Sequence, residues 1–538
     1  MSVRNATALF LALSTLLFLV ACGSSGSITN PVAPPSGSFS ASNLNGTYVF
    51  SVSGTDGGGF PLAAVGTFTA NGSGGISGGV VDMNDGGFSA PAPNLSIGGS
   101  SSYNVGIDGR GRATLAVSNS PFGSSLILDF VLSSSSHGLV IELDGNGSGS
   151  GTLDLQAAGV TPTGSYAFSL SGATSGSTST PWATVGNFTL SGASLSGTDD
   201  FNEGGLVPFA AQTLTGNFAL GPSATPSTTL VTAGAGTLTF DVFAIDATHL
   251  KFIEMDPTAN LSGDAFSQTS TAAPTGTLAF TMAGESSGTA FASGGFMTVT
   301  GTSITGTEDF TDGNTDSTQS TPVPFTASLA AGGTGRFTLG TFGTFVPTNP
   351  TYAAYPSSGG LLLLEIDANG ITTGAAYQQT SPVPTFASAQ GYGMNLSGLN
   401  LGITTGSPSE VDDIAEFTAS NGTLTAGIID ENSPGATNPL FDLGLTSGTY
   451  GSIDTLGRYG ISAIAANSNE STLNGGFALT LYTVDGTTFP FIEMDGGQIA
   501  TGVVVLQNPA GANAASAHAQ MFTPQPLIHP RANRQKKN

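Results

Sequence analysis

Apolar and small polar residues alternate along most of this chain, in runs such as TYVFSVSG (47–54) and GTFTA (66–70). A period of two sends successive side chains to opposite faces, so each run predicts a strand with one buried face. NGSGG (71–75), DGRG (108–111) and DGNGSG (144–149) punctuate these runs as tight turns. Between residues 44 and 158 the pattern predicts about eight strands. They lie near 47–54, 64–70, 75–83, 101–108, 111–118, 125–133, 138–144 and 150–156. No stretch keeps a helical period, and the short spacers favour antiparallel neighbours.

The pattern then repeats. NGTYVFSVSG (45–54), TGSYAFSLSG (163–172), TGTLAFTMAG (275–284) and AQGYGMNLSG (389–398) open four units. An acidic step follows in each, at Asp82, Asp200, Asp309 and Asp430. Each unit closes on a Glu-x-Asp run: Glu142 with Asp144, Glu254 with Asp256, Glu365 with Asp367, and Glu493 with Asp495. A glycine stands nine residues after each glutamate (Gly151, Gly263, Gly374, Gly502) and a glutamine fourteen after (Gln156, Gln268, Gln379, Gln507). Fixed offsets in four copies mark a tandem repeat, with units at 44–158, 163–269, 275–380 and 388–508. The expected fold is all-β: four antiparallel meanders, each closed into a small barrel that leaves no free edge. In shape such a unit resembles avidin-like and calycin-like barrels. A two-sheet sandwich is the second choice, and the lack of a four-strand sub-repeat disfavours a propeller.

Composition narrows the function more than the fold. The 538 residues include 78 glycines, 33 phenylalanines and one tryptophan, and only 8% are charged. Ten Lys and Arg face 35 Asp and Glu, for a net charge of −25. Such a body repels phosphate backbones, which excludes nucleic acid as a partner. Four of the cations (Arg531, Arg534, Lys536, Lys537) crowd a tail, 509–538, that reads as disordered and basic.

The single cysteine, Cys22, rules out an internal disulfide and draws attention to its setting. One cation, Arg4, precedes an apolar stretch from Ala6 to Ala21, the layout of a secretory signal over 1–21. Leu19-Val20-Ala21-Cys22 resembles the lipobox of bacterial lipoproteins. That resemblance implies cleavage before Cys22 and acylation of its thiol and new amino group, with several acyl chains giving a stable anchor. Gly23 follows where inner-membrane retention is associated with aspartate, so the resemblance leans towards the outer membrane. Residues 22–43 then read as a lipidated, flexible tether rich in Gly, Ser, Pro and Asn. The mature chain resembles uncharacterised tandem-repeat surface lipoproteins rich in Gly, Ser and Thr.

The repeated carboxylates are the main candidates for chemistry. Residues two apart on a strand share a face, so each Glu and Asp point together. Apolar flanks on both sides, as in GLLLLEID (360–367), place this strand centrally. A buried carboxylate needs a partner. Gly-Arg steps supply one in three units, so Arg112, Arg336 and Arg458 are expected to pair with Glu142, Glu365 and Glu493 as structural ion pairs. Lys251 stands in the second unit, on the face opposite Glu254.

Calcium is the alternative, with candidate ligands Asp82, Asn84, Asp144, Asn146, Asp309 and Asp312 in glycine turns. None of these loops carries the closing glutamate of an EF-hand, and turn-forming side chains account for them equally. His137 and His249 read as surface or turn residues, and four scattered histidines build no zinc site. GISGG (75–79) and GESSG (284–288) match a nucleophile elbow by letter but lie between no strand and helix. Trp182 offers no aromatic platform, and Tyr48, Tyr166 and Tyr392 fall on the inward face.

The sequence therefore predicts no enzyme and no cofactor. It predicts a membrane-anchored, extracytoplasmic lipoprotein with a binding, adhesive or envelope-structural role and an envelope or extracellular partner. The alternative is a carrier with one small apolar ligand per barrel.

Overall fold

The computed structural model describes residues 31–510, apart from the segments 121–122, 176–178, 205, 220–226, 233, 314–316, 319–320, 334, 344–349, 385–388, 402–407, 434–438 and 466–475. The expected signal segment, Cys22 and nearly all of the basic tail lie outside the described residues. Each repeat is an antiparallel meander curled into a barrel, and the sandwich alternative fails. Barrels 2 and 4 close on eight strands, Gly164–Thr174 to Ala259–Ser267 and Gln390–Asn400 to Gln498–Leu506. Barrel 3 closes where Thr289–Thr300 pairs with Ser303–Asp312, and carries a two-residue extra strand, Ser317–Thr318.

Barrel 1 has nine strands because one is broken. Ala92–Ile97 and Ser102–Val105 together take the place of Phe209–Ala219 in barrel 2. The break falls at the flexible sequence Gly98-Gly99-Ser100-Ser101. Single bridges, Gly75 with Ser102 and Ile97 with Val117, carry the sheet across it. Ala92–Ile97 is a strand that alternation did not reveal, since APNLSI opens on small, turn-forming residues.

Inward-facing side chains fill each barrel. Tyr48, Phe50, Phe68, Phe130 and Val140 pack inside barrel 1, and Tyr166, Phe168, Phe188, Phe240 and Phe252 inside barrel 2. Tyr48 and Tyr166 are inward as expected, and their hydroxyls reach the carbonyls of Ser135 and Ala247. The outward faces of the first and last strands of each barrel are buried too, while those of the middle strands, such as Phe209–Ala219, stay largely exposed. Leu139 and Ile141 of barrel 1, Val185 and Phe266 of barrel 2, Tyr355 and Leu362 of barrel 3, and Ile414 and Val503 of barrel 4 belong to one apolar cluster spanning all four units.

The reason is a ring. The first strands of each barrel pack on the last strands of the next, and those of barrel 4 pack on the last strands of barrel 1. A head-to-tail contact that closes after four copies leaves no unfilled partner surface. The Glu-x-Asp strand is apolar on both sides for this reason: one face lines a barrel and the other meets a neighbour.

The second half of the tether is packed rather than free. Pro34 and Phe39 are buried, the Ser36 hydroxyl donates to the carbonyl of Gln507, and Asn43 Nδ2 donates to that of Pro509. This segment lies in the seam between barrels 4 and 1.

Candidate functional site

The conspicuous polar chemistry of the molecule lies in the four seams. Each is built from residues at matching positions, so each can be read against the others.

The acidic step of the opening strands points outward into a seam. In the seam between barrels 2 and 3, Asp200 receives Arg336 through two parallel bonds, Nε at 2.7 Å and Nη2 at 2.6 Å, and the Tyr355 hydroxyl at 2.5 Å. Between barrels 3 and 4, Asp309 receives Arg458 at 2.7 and 2.8 Å and the Tyr482 hydroxyl at 3.0 Å. Gly294 makes room for that tyrosine, since a Cβ there would lie 2.3 Å from its ring. Between barrels 4 and 1, Arg110 donates to Asp430 at 2.9 Å, and also to Asp108 and Asp442. A planar guanidinium on a carboxylate is a strong, geometrically exacting clasp.

Among the described residues the fourth seam has none. Asp82 of barrel 1 faces Asp241 of barrel 2, and burial foremost, with Asp241 beside it, pushes the Asp82 carboxyl up to about 7. Asp82, Asp200 and Asp430 are steadied by a backbone N–H from the next strand of their own barrel: Asn94 for Asp82, Ala211 for Asp200, and Asp442 for Asp430. Those three donors share a left-handed backbone, φ 53°, 52° and 52°. Such strain in non-glycine residues persists where its surroundings fix it.

Amides complete the seams. Asn84 Nδ2 donates to the carbonyls of Glu254 and Ala259, Asn202 to those of Glu365 and Gly370, and Asn432 to those of Glu142 and Gly147. The seam between barrels 3 and 4 has Thr311 in that place, and Gln498 opposite where the others have a glycine or alanine. The glutamine fourteen residues after each glutamate also crosses over. Gln156 donates to the carbonyl of Ala244, Gln268 to that of Pro356, Gln379 to those of Leu456 and Thr483, and Gln507 to those of Asp108 and Leu132.

These contacts correct the expected ion pairs. Arg112 does not meet Glu142: it pairs with Asp129 of its own barrel at 2.5 Å and lies over the Phe441 ring. Arg336 and Arg458 do not meet Glu365 and Glu493: both reach back to the preceding barrel. The counterpart of Arg336 in barrel 1 is Arg110, from the other Gly-Arg step of DGRGR. The physical reason is direction. Each repeated glutamate points into its own barrel, whereas the arginine heads lie outside. The glutamates are instead pushed towards the neutral form, by burial first and the neighbouring aspartate second: Glu254 and Glu365 up to about 8, and Glu142 well up. Thr372 donates a hydroxyl bond to Glu365 at 2.8 Å.

The calcium candidates do not converge. Asp144 accepts the Asn146 backbone N–H within its own turn, Asn84 spans a seam, Asp309 is taken by Arg458, and Asp312 accepts the Thr289 hydroxyl. Among the described residues no group of three His, Cys, Asp or Glu could hold a metal ion.

The two strand histidines are not surface residues. His137 and His249 are each 1% exposed. His137 Nδ1 lies 2.7 Å from Asp154, and His249 Nε2 lies 2.6 Å from Asp264, which also takes Lys251 at 2.9 Å. Lys251 faces outward, as its position opposite Glu254 requires. Burial alone would raise the Asp154 carboxyl, but His137, Lys251 and His249 together hold it below the ordinary range. The signal for this cluster was present: both histidines stand five residues before the repeated glutamate.

No family model matches the chain, and no curated protein matches it in sequence. Among solved structures it is similar to isotype 1 transferrin binding protein B from serogroup B Neisseria meningitidis. The match has 10% identity over 69% of this chain and 83% of that one, with a TM-score of 0.20. The DNA polymerase III subunit beta from Pseudomonas aeruginosa matches at 8% identity over 63% and 92%, with a TM-score of 0.09. Superpositions this loose carry no argument about function.

Proposed function

We propose that the chain is a lipid-anchored, extracytoplasmic protein whose ring of four barrels acts without catalysis, as a binding, adhesive or envelope-structural platform. The observation that carries this reading is that the barrels spend the outer faces of their first and last strands on one another and fill most of their interiors with apolar side chains. The outward-facing acids, amides and glutamines of the repeat are thereby consumed in assembly. An enzyme would keep such groups for a cleft. The anchor reading rests on Cys22 and the residues before it, and the packed segment 31–43 would tie the membrane to one defined seam.

Two measurements test this. Fractionation and mass spectrometry should find the native protein acylated at Cys22 in the outer membrane, and Cys22→Ser should release a folded ring from it. Membrane retention of that variant would overturn the anchor. Native mass spectrometry of the delipidated ring should show the bare chain mass. One ligand per barrel would instead favour a carrier, which needs open space of a few hundred Å³ in each unit.

A further inference from the structure

We propose that barrel 2 holds the charged head of a small primary amine, seated on Asp199 among aromatic rings. This goes beyond the platform reading and stands whether or not the chain is anchored.

Barrel 2 contains a small cavity walled by Phe168, Trp182, Asp199, Phe201, Thr232 and Phe240, among others. It has room for about one water-sized group, which is also the size of an ammonium head. Asp199 is 3% exposed. Its Oδ1, the Thr232 hydroxyl and the Trp182 ring N–H have no hydrogen-bond partner among the described residues.

A buried carboxylate must take either a proton or a counter-cation. Barrel 2 supplies no cation to it. Lys251, the sole Lys or Arg between residues 163 and 269, lies on the outer face with Asp264. Asp200, next along the strand, points outward to Arg336. Burial foremost pushes the Asp199 carboxyl up to about 7, while Thr232, near but outside hydrogen-bond geometry, steadies the charged form. Aromatic faces attract an ammonium group, so the ring faces and the acid ask for the same ligand; the Trp182 ring N–H, itself a donor, is not satisfied by it.

Access is short. Phe201 stacks at 4.6 Å on Phe209, which is 39% exposed. Leu206 and Val207, just before it in the chain, are also exposed and offer an alkyl stem an apolar path out. The other barrels lack the arrangement. Opposite the position of Gly186, where Asp199 sits, barrel 1 has Val81 and barrel 4 has Ile429. Barrel 3 has Glu308, whose carboxylate packs on Gly343.

Trp182 is the chain's single tryptophan, so its fluorescence reads the cavity directly. The detergent-solubilised full chain should be titrated with butylamine and, as the uncharged control, butanol. Butylamine should give a saturable emission change, with affinity rising about tenfold from pH 6 to pH 8 as the carboxyl ionises. Asp199→Asn should abolish it, and Phe209→Ala, at an exposed site that threatens no core, should change the affinity. No saturable change, equal responses to butanol, or unchanged binding in a folded Asp199→Asn variant would each overturn the proposal.

Discussion

The seam between barrels 1 and 2 and the seam between barrels 2 and 3 share one plan but differ at its centre. Asn84 and Asn202 reach across in the same way, and Gln156 and Gln268 make the same crossing. One seam then closes on Asp200 with Arg336 and Tyr355, the other on Asp82 with Asp241. The difference teaches that the clasp is separable from the ring. Apolar contact among Val49, Val65, Phe243 and Ile253, with the amide bonds, holds the first seam without an arginine clasp. Among the described residues the one cation near it, Lys251, acts on Asp154 rather than on Asp82. The His249–Asp264–Lys251 group lies on the same barrel's outer face. The two seams should therefore respond in opposite senses to the same kind of substitution.

The largest expected effect is in the clasped seam. Arg336→Met leaves Asp200 buried without its counter-charge and should cost about 3–5 kcal/mol, read by denaturant unfolding. Adding Asp200→Asn to that variant should recover most of the loss. Equal losses from the single and double variants would mean that the arginine acts by packing alone.

The unclasped seam should show the reverse. The folded pKa of Asp82 lies above its ordinary value, so the native state holds the proton more tightly than the unfolded chain. The pair then costs nothing below the unfolded pKa, and stability falls as pH rises through about 7. Asp82→Asn should accordingly stabilise the protein at pH 8 by on the order of 2–4 kcal/mol and change little near pH 4. The Asn94 N–H contact survives the change, because an amide oxygen still accepts it. Destabilisation at pH 8 would show that the acid pair is not the weak point of this seam.

Alternation and repeat spacing reveal most of the strands (Ala92–Ile97 excepted), the four units and repeated positions such as the glutamine at offset fourteen. They could not show what the outward face meets. A period of two separates inside from outside for one barrel, but water and a neighbouring barrel look alike in it. From spacing alone, Arg336 and Arg458 pair with glutamates of their own units instead of acids one barrel back. In barrel 1 the sequence DGRGR offers two Gly-Arg steps, and only the register, which sets Arg112 opposite Asp129, tells them apart. The sequence makes His137 and His249 look like surface residues for the same reason: their burial comes from the ring rather than from the barrel. The cavity of barrel 2 was equally hidden, since Asp199 shares its Asp-Asp step with the clasp acid Asp200.

A smaller effect distinguishes the glutamines. Gln379 and Gln507 each make two bonds to the next barrel, whereas Gln156 makes one. Replacement by alanine should cost about 1–3 kcal/mol for the first two and about half that for the third. Thermal melts of the three variants compare them directly.

The smallest effect should come from moving the chain ends, and it isolates the missing clasp. The seam between barrels 4 and 1 already holds without a linker, through Arg110–Asp430, Asn432 and Gln507. A permutant that joins Ala510 to Pro31 and opens between Gly159 and Val160 makes the unclasped seam the non-covalent one instead. Gly159 has open space around it, so the cut disturbs no packing. Loop-closure entropy changes slowly with length, and the penalty near pH 6 should be about 1 kcal/mol or less. At pH 8 the ionised Asp82 and Asp241 should widen it, and small-angle scattering should then show an opened ring where the parent stays closed. A permutant equally stable and closed at both pH values would mean that the apolar contact alone carries this seam.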